Sequence, residues 1–340
     1  MRRVVLDLGD RRPIFAPPAD QAARLEAALP AGWEVRVTEA PADGTGDGGV
    51  VASASALSLV EDAEVYIGFG IPAELLRAGR RLRWVHSGAA GVGGSLTPEM
   101  LASEVVFTNS AGIHGPPVAE TVLAFLLHFA RGLDQAIAAQ AAGRWGRGAF
   151  DGEDAPVREL GRSTVGVVGL GGIGREVAAR ARAMGATVVG VRRRRLPVEG
   201  VEVLSGAGAL EALLARSHYV VLTAPETAQT RGLIDARALA AARPDAVLVN
   251  VARGGLVDED ALADALEGGR LRGAALDVFS TEPLPEGHRL WRAPRLLITP
   301  HISAYTAAFW ERESALLEEN FRRWVAGEPL RNVVDKGAGY

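Results

Sequence analysis

The stretch Val165-Gly-Val-Val-Gly-Leu-Gly-Gly-Ile-Gly174 constrains this 340-residue chain more than any other. Its valines read as a buried strand, and the residues beyond it, with Ile173, Val177, Ala181 and Met184 on one side, read as a helix. The glycines at the turn have separate physical jobs. Gly169 permits a tight turn, Gly171 lets backbone approach a pyrophosphate, and Gly174 lets helix and strand pack closely. Gly172 and Ile173 then begin a helix whose N–H groups can hold an anion. The chain has 41 glycines, so an ordinary tight turn is the competing reading of the motif alone. The strand before it, the helix after it and a second strand ending at Val191 supply the context a dinucleotide fingerprint requires.

Short valine-rich runs alternate with alanine- and leucine-rich stretches of helical period along the whole chain, the pattern of βαβ units around a parallel sheet. The pattern occurs twice. The first series places strands at Val4–Leu8, Val35–Thr38, Val65–Ile67, Trp84–His86 and Val105–Thr108, with helices at Gln21–Leu29 and Ala73–Gly79. The second places them at Thr164–Val168, Thr187–Val191, Tyr219–Leu222, Val247–Val251, Gly273–Asp277 and Leu296–Thr299. Between the series, Pro117–Ala142 reads as one long helix with proline at its start. The loop Pro41–Gly49 reads as a flexible surface connection. A last helix, Ala307–Val325, carries Phe309, Leu316, Leu317, Phe321 and Trp324 at helical spacing and is expected to pack back on the first domain. The expected fold is α/β: two Rossmann-like, doubly wound parallel-sheet domains with a cleft between them. Residues 1–112 plus 303–340 form one domain, which takes the substrate, and residues 113–302 form the dinucleotide domain.

Composition removes several classes. With 48% hydrophobic and 23% charged residues the chain is an ordinary folded one, and a formal charge of −4 argues against a nucleic-acid partner. There is no cysteine, which rules out disulfides, thiolate metal sites and cysteine nucleophiles and suits a reducing setting. No metal site is expected. The apolar run near the N-terminus is broken by Asp7, and the most apolar helix candidate, Val118–Ala130, contains Glu120 and His128 and falls short of the ~20 residues that span a bilayer. A cytoplasmic protein without membrane association is expected.

At the end of the second strand of the dinucleotide unit, a site built for NAD would carry an acidic residue for the ribose hydroxyls. Here the chain reads Val191-Arg-Arg-Arg-Arg195. A guanidinium fork suits a phosphate dianion, so Arg192 and Arg193 point to NADP(H) over NAD(H). Four arginines on a solvated loop are the plain alternative. Three further polar positions end or follow apolar strands, at the edge where open α/β sheets carry ligands. Arg253 follows Val247-Leu-Val-Asn-Val-Ala252, Asp277 ends Gly273-Ala-Ala-Leu-Asp277 with Glu282 beyond it, and His301 follows Leu297-Ile-Thr-Pro300. Reduction of a 2-keto acid needs a cation for the carboxylate and an acid for the developing alkoxide. Arg253 and His301 are of those types, and Glu282 could favour the imidazolium. Each also has an ordinary reading, as a surface ion pair, a turn residue and a loop carboxylate.

At these residues the sequence resembles the D-isomer-specific 2-hydroxyacid dehydrogenase family, most closely its glyoxylate/hydroxypyruvate reductase-like members. The resemblance rests on VGVVGLGGIG (165–174), the Pro225-x-Thr227…Thr230 loop, LVNVARGGLVDEDAL (248–262), AALDVFSTEPLP (274–285) and ITPHIS (298–303). It implies that Arg253, Glu282 and His301 are the catalytic three and that Asp277 lies near the nicotinamide. With the glycine turn and arginines, Ala224, Pro225, Thr230, Val251 and Ala252 complete the expected cofactor set. The loop Ser87-Gly-Ala-Ala-Gly-Val92 resembles the family's substrate-carboxylate loop, with the N–H groups of Ala90 and Gly91 joining Arg253 and His301 on the substrate. A homodimer joined through its nucleotide domains is implied. So is a small 2-keto or 2-hydroxy acid as substrate, with the active site in the cleft between domains.

Two departures stand out. Ser303 and Tyr305 occupy a stretch where the family has small residues, which narrows the expected pocket. No regulatory domain is expected beyond Tyr340, an argument against a phosphoglycerate-type role. Two other functions fit parts of the pattern: a formate dehydrogenase-like enzyme, disfavoured by Glu282 where glutamine would pair with the histidine, and a dinucleotide-sensing corepressor of the same fold.

Overall fold

A computed structural model describes residues 1–39 and 51–339, so the surface connection expected at Pro41–Gly49 lies outside the described residues. Twelve strands run β1 (Arg2–Asp7), β2 (Trp33–Val37), β3 (Val65–Gly68), β4 (Trp84–Ser87), β5 (Val106–Asn109), β6 (Thr164–Val168), β7 (Thr187–Val191), β8 (Glu202–Leu204), β9 (Tyr219–Leu222), β10 (Val247–Asn250), β11 (Gly273–Leu276) and β12 (Leu296–Ile298) among these residues. The helices are α1 (Gln21–Ala27), α2 (Ala54–Val60), α3 (Ala73–Ala78), α4 (Pro98–Ala102), α5 (Gly115–Ala130), α6 (Leu133–Ala141), α7 (Gly172–Ala183), α8 (Ala209–Arg216), α9 (Ala236–Ala241), α10 (Glu259–Glu267) and α11 (Phe309–Ala326). The chain divides into two compact units, residues 1–114 with 305–340, and residues 115–304.

Unit 1 holds a parallel sheet in the order β2-β1-β3-β4-β5. The central strands β3 and β4 are buried on both faces, as in a sheet covered by helices, whereas edge strand β2 alternates Glu34 and Arg36 with apolar residues and is exposed at its end. Val4 and Leu6 point to a core with Leu25 of α1 and Leu317 and Phe321 of α11. Val5, on the alternate face, packs with Val60 of α2, Leu75 of α3 and Met100 of α4. The terminal helix does pack within the first unit, with Phe309, Leu317 and Phe321 buried and Leu316 and Trp324 half-buried.

Unit 2 holds a parallel sheet in the order β12-β11-β10-β9-β6-β7-β8. Val247 and Val249 face α5 and α7, whereas Leu248 faces α8 and α10. Strand order reverses between β6 and β9. Loops leaving the carboxyl ends of β6, β9, β10, β11 and β12 therefore share the edge flanking the switch point, where ligands of such sheets bind.

Two expectations require correction. The long helix over 117–142 is two helices, α5 and α6, bent by 73°. Gly132, at φ +64°, breaks it, because a left-handed residue cannot continue a right-handed helix. Met184 does not join the packed side of α7; it caps the helix and is 41% exposed, while Val177 and Ala181 are buried. No single helix among the described residues is long and apolar enough to cross a membrane.

Candidate active site

In the turn after β6, Gly169 and Gly174 are required by the fold itself. Gly169 sits at φ +99°, and a Cβ there would lie 2.6 Å from Ala224 N. A Cβ on Gly174 would lie 2.0 Å from Gly169 O, so α7 can pack on the turn only with glycine there. Gly171 differs. Its φ is −78° and a Cβ would meet nothing within 4 Å, so its own unit does not demand glycine. Gly171 also precedes α7 without giving a side-chain cap, leaving N–H groups of Gly172 and Ile173 at an uncapped helix start. A cradle with open space in front of free donors fits a dinucleotide pyrophosphate.

The neighbouring expected residues form the rest of that edge. Thr223 Oγ1 donates to Gly169 O at 2.6 Å, tying the β9 loop to the glycine turn, and Ala224 is buried against it. The Thr230 hydroxyl donates to Pro225 O at 2.7 Å and accepts from Thr227 N–H at 2.8 Å, so it closes this loop. Val251 and Ala252 are buried, leaving backbone as what they offer a ligand. Arg192 is half-buried and Arg193 exposed just beyond β7, and no acidic residue occurs between Val191 and Pro197.

Beyond β12, His301 adopts φ +55°, a left-handed backbone that costs a non-glycine residue roughly 1–2 kcal/mol. Asp277 explains how it is held. This residue, 0% exposed at the end of β11, accepts through Oδ1 from Thr299 Oγ1 (2.5 Å) and Ile302 N–H (2.9 Å) and through Oδ2 from Ser303 N–H (2.9 Å). Hydrogen bonds to a charged group contribute about 1.5–3 kcal/mol each, so three of them outweigh the strain. Both Asp277 oxygens are thus committed to the histidine turn, a role that its expected place beside a nicotinamide did not include. Ser303 is buried and its carbonyl accepts from Thr121 of α5 at 3.3 Å, so it serves the turn and does not narrow an open space. Tyr305 belongs to unit 1, edge-on to Phe15 and accepting from Arg12 at 3.1 Å.

The His301 ring meets Glu282 at 2.7 Å from Nδ1 to Oε2, and Glu282 Oε1 accepts from Phe279 N–H at 2.9 Å. The hydrogen bond to Glu282 raises the imidazole above its ordinary value; burial and the charge of Arg253 oppose this without cancelling it. Burial would raise the Glu282 carboxyl, but the His301 and Phe279 hydrogen bonds and the charges of His301 and Arg253 hold it below its usual range. With Nδ1 turned to the carboxylate, Nε2 is the nitrogen left to exchange a proton.

Arg253 is set by a residue that sequence reasoning passed over. Asn250, 1% exposed, donates from Nδ2 to Arg253 O at 2.8 Å and accepts at Oδ1 from Ala252 N–H at 3.0 Å. Its signal was present, an amide inside an otherwise apolar strand end. The arginine also donates to Ala252 O at 2.5 Å. A Cβ on Gly254 would lie 1.9 Å from the backbone carbon of Phe279, so the Arg253 turn rests directly on the segment that holds Glu282. Unit 2 therefore brings Arg253, Glu282 and His301 within mutual electrostatic reach.

In unit 1, Ala90 and Gly91 lie half-buried in the loop after β4. Ser110 N–H donates to Ala89 O at 3.3 Å and Asn109 Nδ2 donates to Ala90 O at 2.8 Å. Across a trans peptide the next N–H points opposite to the carbonyl. Both carbonyls face the end of β5, so the N–H groups of Ala90 and Gly91 are directed away from it together.

Two concavities of about 530 and 480 Å³ occur at the opposite, amino-terminal edge of the seven-stranded sheet, around Arg158 and His218 and around Asp245 and Arg272. They are remote from the strand ends that carry the polar constellation. No cluster able to hold a metal ion occurs among the described residues.

Known proteins bear on these features. The family model for the "D-isomer specific 2-hydroxyacid dehydrogenase, NAD binding domain" matches residues 123–303. A D-3-phosphoglycerate dehydrogenase of Mycobacterium bovis is 39% identical over 273 residues, 79% of this chain and 50% of that protein. Glyoxylate/hydroxypyruvate reductase A of Escherichia fergusonii is 34% identical over 275 residues, 79% of this chain and 85% of that protein. The chain thus spans about half the length of the phosphoglycerate dehydrogenase. A D-isomer specific 2-hydroxyacid dehydrogenase from Xanthobacter autotrophicus Py2, solved in complex with NADPH and MES, is similar with a TM-score of 0.81 at 32% identity, covering 100% of this chain and 99% of that one.

Proposed function

Since this chain belongs to the D-isomer-specific 2-hydroxyacid dehydrogenase family, we propose that it reduces a small 2-keto acid of the glyoxylate or hydroxypyruvate type to the D-2-hydroxy acid with NADPH. The observation that carries the proposal is the 2.7 Å His301–Glu282 pair under the charge of Arg253. Bound NADPH would supply a hydride to the keto carbon. Gly169, Gly171, Gly172, Ile173 and Gly174 would hold its pyrophosphate, with Ala224, Pro225, Thr230, Val251, Ala252 and Asp277 contributing the surrounding loops. Arg253 would grip the substrate carboxylate and polarise the ketone oxygen. His301 Nε2–H would give that oxygen its proton, and Glu282 would keep the ring protonated and oriented through Nδ1–H. In unit 1, the N–H groups of Ala90 and Gly91 would receive the same carboxylate. On this reading the unit of residues 1–114 and 305–340 takes the substrate and the unit of residues 115–304 the dinucleotide.

The test is oxidation of NADPH, followed at its absorbance, with glyoxylate, hydroxypyruvate, 3-phosphohydroxypyruvate and bulkier keto acids. Turnover of none of them would end the proposal. The phosphorylated acid is included because a phosphoglycerate dehydrogenase, that of Mycobacterium bovis, is 39% identical.

The preference for NADPH rests on Arg192 and Arg193 where an acidic residue would serve NAD. Replacing both by alanine should raise KM for NADPH by about 10- to 100-fold, the loss of one or two charge-assisted hydrogen bonds, and leave KM for NADH nearly unchanged. Equal shifts in the two would reduce the arginines to surface charge.

A homodimer is supported by α6. None of its nine residues is buried, yet Leu133 is 45% exposed, Ile137 54% and nearby Trp145 92%. A helix this apolar and this bare is covered, on our reading, by a second copy. Ile137→Asp with Trp145→Asp should sediment as a monomer at concentrations where the parent chain is a dimer, and a monomeric parent would dismiss the idea.

A further inference from the structure

Unit 1 contains a chain of buried polar groups that the reaction does not use. Trp84 Nε1–H donates to Thr108 Oγ1 at 2.8 Å, and that oxygen lies 2.8 Å from His86 Nδ1. His86 Nε2 lies 3.1 Å from Glu313 Oε1, and the Ser110 hydroxyl lies 2.7 Å from Glu313 Oε2 and 3.1 Å from Ser87 O. His86, Thr108, Ser110 and Glu313 are all 0% exposed. A carboxyl buried this completely is a poor way to gain stability, because apolar packing of the same volume would hold α11 to the sheet equally well or better. Its position suggests why it is there. Ser110 is the residue whose N–H fixes Ala89 O, its neighbour Asn109 fixes Ala90 O, and Ser87 opens the loop whose N–H groups point away from β5.

We propose that Glu313 is a positioning residue for the substrate carboxylate, acting through Ser110 and His86 to fix the Ser87–Val92 loop; this rests on the reading that Ala90 and Gly91 receive that carboxylate. With Glu313 present, the Ser110 hydroxyl is held between Glu313 and Ser87 O, and strand ends β4 and β5 stay in one register at the loop. Without it, Ser110 is free to turn, and the two carbonyls that orient Ala90 N–H and Gly91 N–H lose their reference. The carboxyl never touches the reacting atoms.

Glu313→Gln in the full chain keeps the shape and one carbonyl oxygen. It should raise KM for the keto acid about tenfold, with KM for NADPH unchanged and kcat moved much less. Ser110→Ala should do the same, and the double variant should be no worse than either single one, since both act through one link. Amide hydrogen exchange over 84–95 should quicken in both variants while the exchange over 165–177 stays as it was. A merely structural carboxyl would lower the melting temperature without this KM split. Unchanged loop exchange would overturn the role of Glu313, and it is read on the protein alone, whatever substrates are turned over. Faster exchange with an unmoved keto-acid KM would instead overturn the assignment of the carboxylate to this loop.

Discussion

His301→Ala is expected to lower kcat for keto-acid reduction by about 10²- to 10⁴-fold, the usual contribution of a positioned general acid, while NADPH still binds. The loss should be confined to turnover because His301 lies after β12, away from the glycine turn after β6 that would hold the cofactor. The sign of the pH dependence follows from the same pair. Glu282 raises the imidazole, so the protonated form that reduction needs persists above the ordinary histidine value of about 6.5. kcat/KM for reduction should therefore fall only as pH rises through that elevated value, and the reverse oxidation should rise over the same interval. A His301→Ala enzyme with unaltered turnover would remove the histidine from the reaction.

Arg253→Ala should cost about 10²- to 10³-fold in kcat/KM, as expected when a donor aimed at developing oxyanion charge is removed. Lysine should not restore it. A point charge cannot reproduce a bidentate guanidinium, and the Asn250 clasp fixes only the backbone that carries the side chain, so it cannot compensate. Loss of activity in Arg253→Ala with a normal KM for the keto acid would mean that the arginine acts only on the ketone oxygen and not on the carboxylate. Steady-state kinetics with one keto acid at several concentrations distinguishes the two.

The parallel strands were legible because burial on both faces writes them as valine and leucine runs, as in Val247-Leu-Val. The polar residues that end those runs were legible for the complementary reason, since a charge has little business after a buried strand unless an edge uses it. What escaped was contact over long sequence distance. Glu313 sits in a helix whose apolar spacing alone suggested packing, and its partner His86 is 227 residues away. Asp277 read as a ligand-edge carboxylate because its three donors lie in a turn more than twenty residues later. Strand β8 is short, with its side chains exposed or half-buried, and so lacks the apolar run that marked the others. The break between α5 and α6 was written in Gly132, but the apolar residues on either side argued louder for continuity.

Gly254, which carries no side chain, sets how tolerant the arginine turn and the Glu282 segment are of one another. With no space for even a methyl group between them, a displacement of either backbone is transmitted whole to the other. Variation that retunes such an enzyme must therefore leave this seam alone, and a bulkier residue there would misalign cation and acid in a single step.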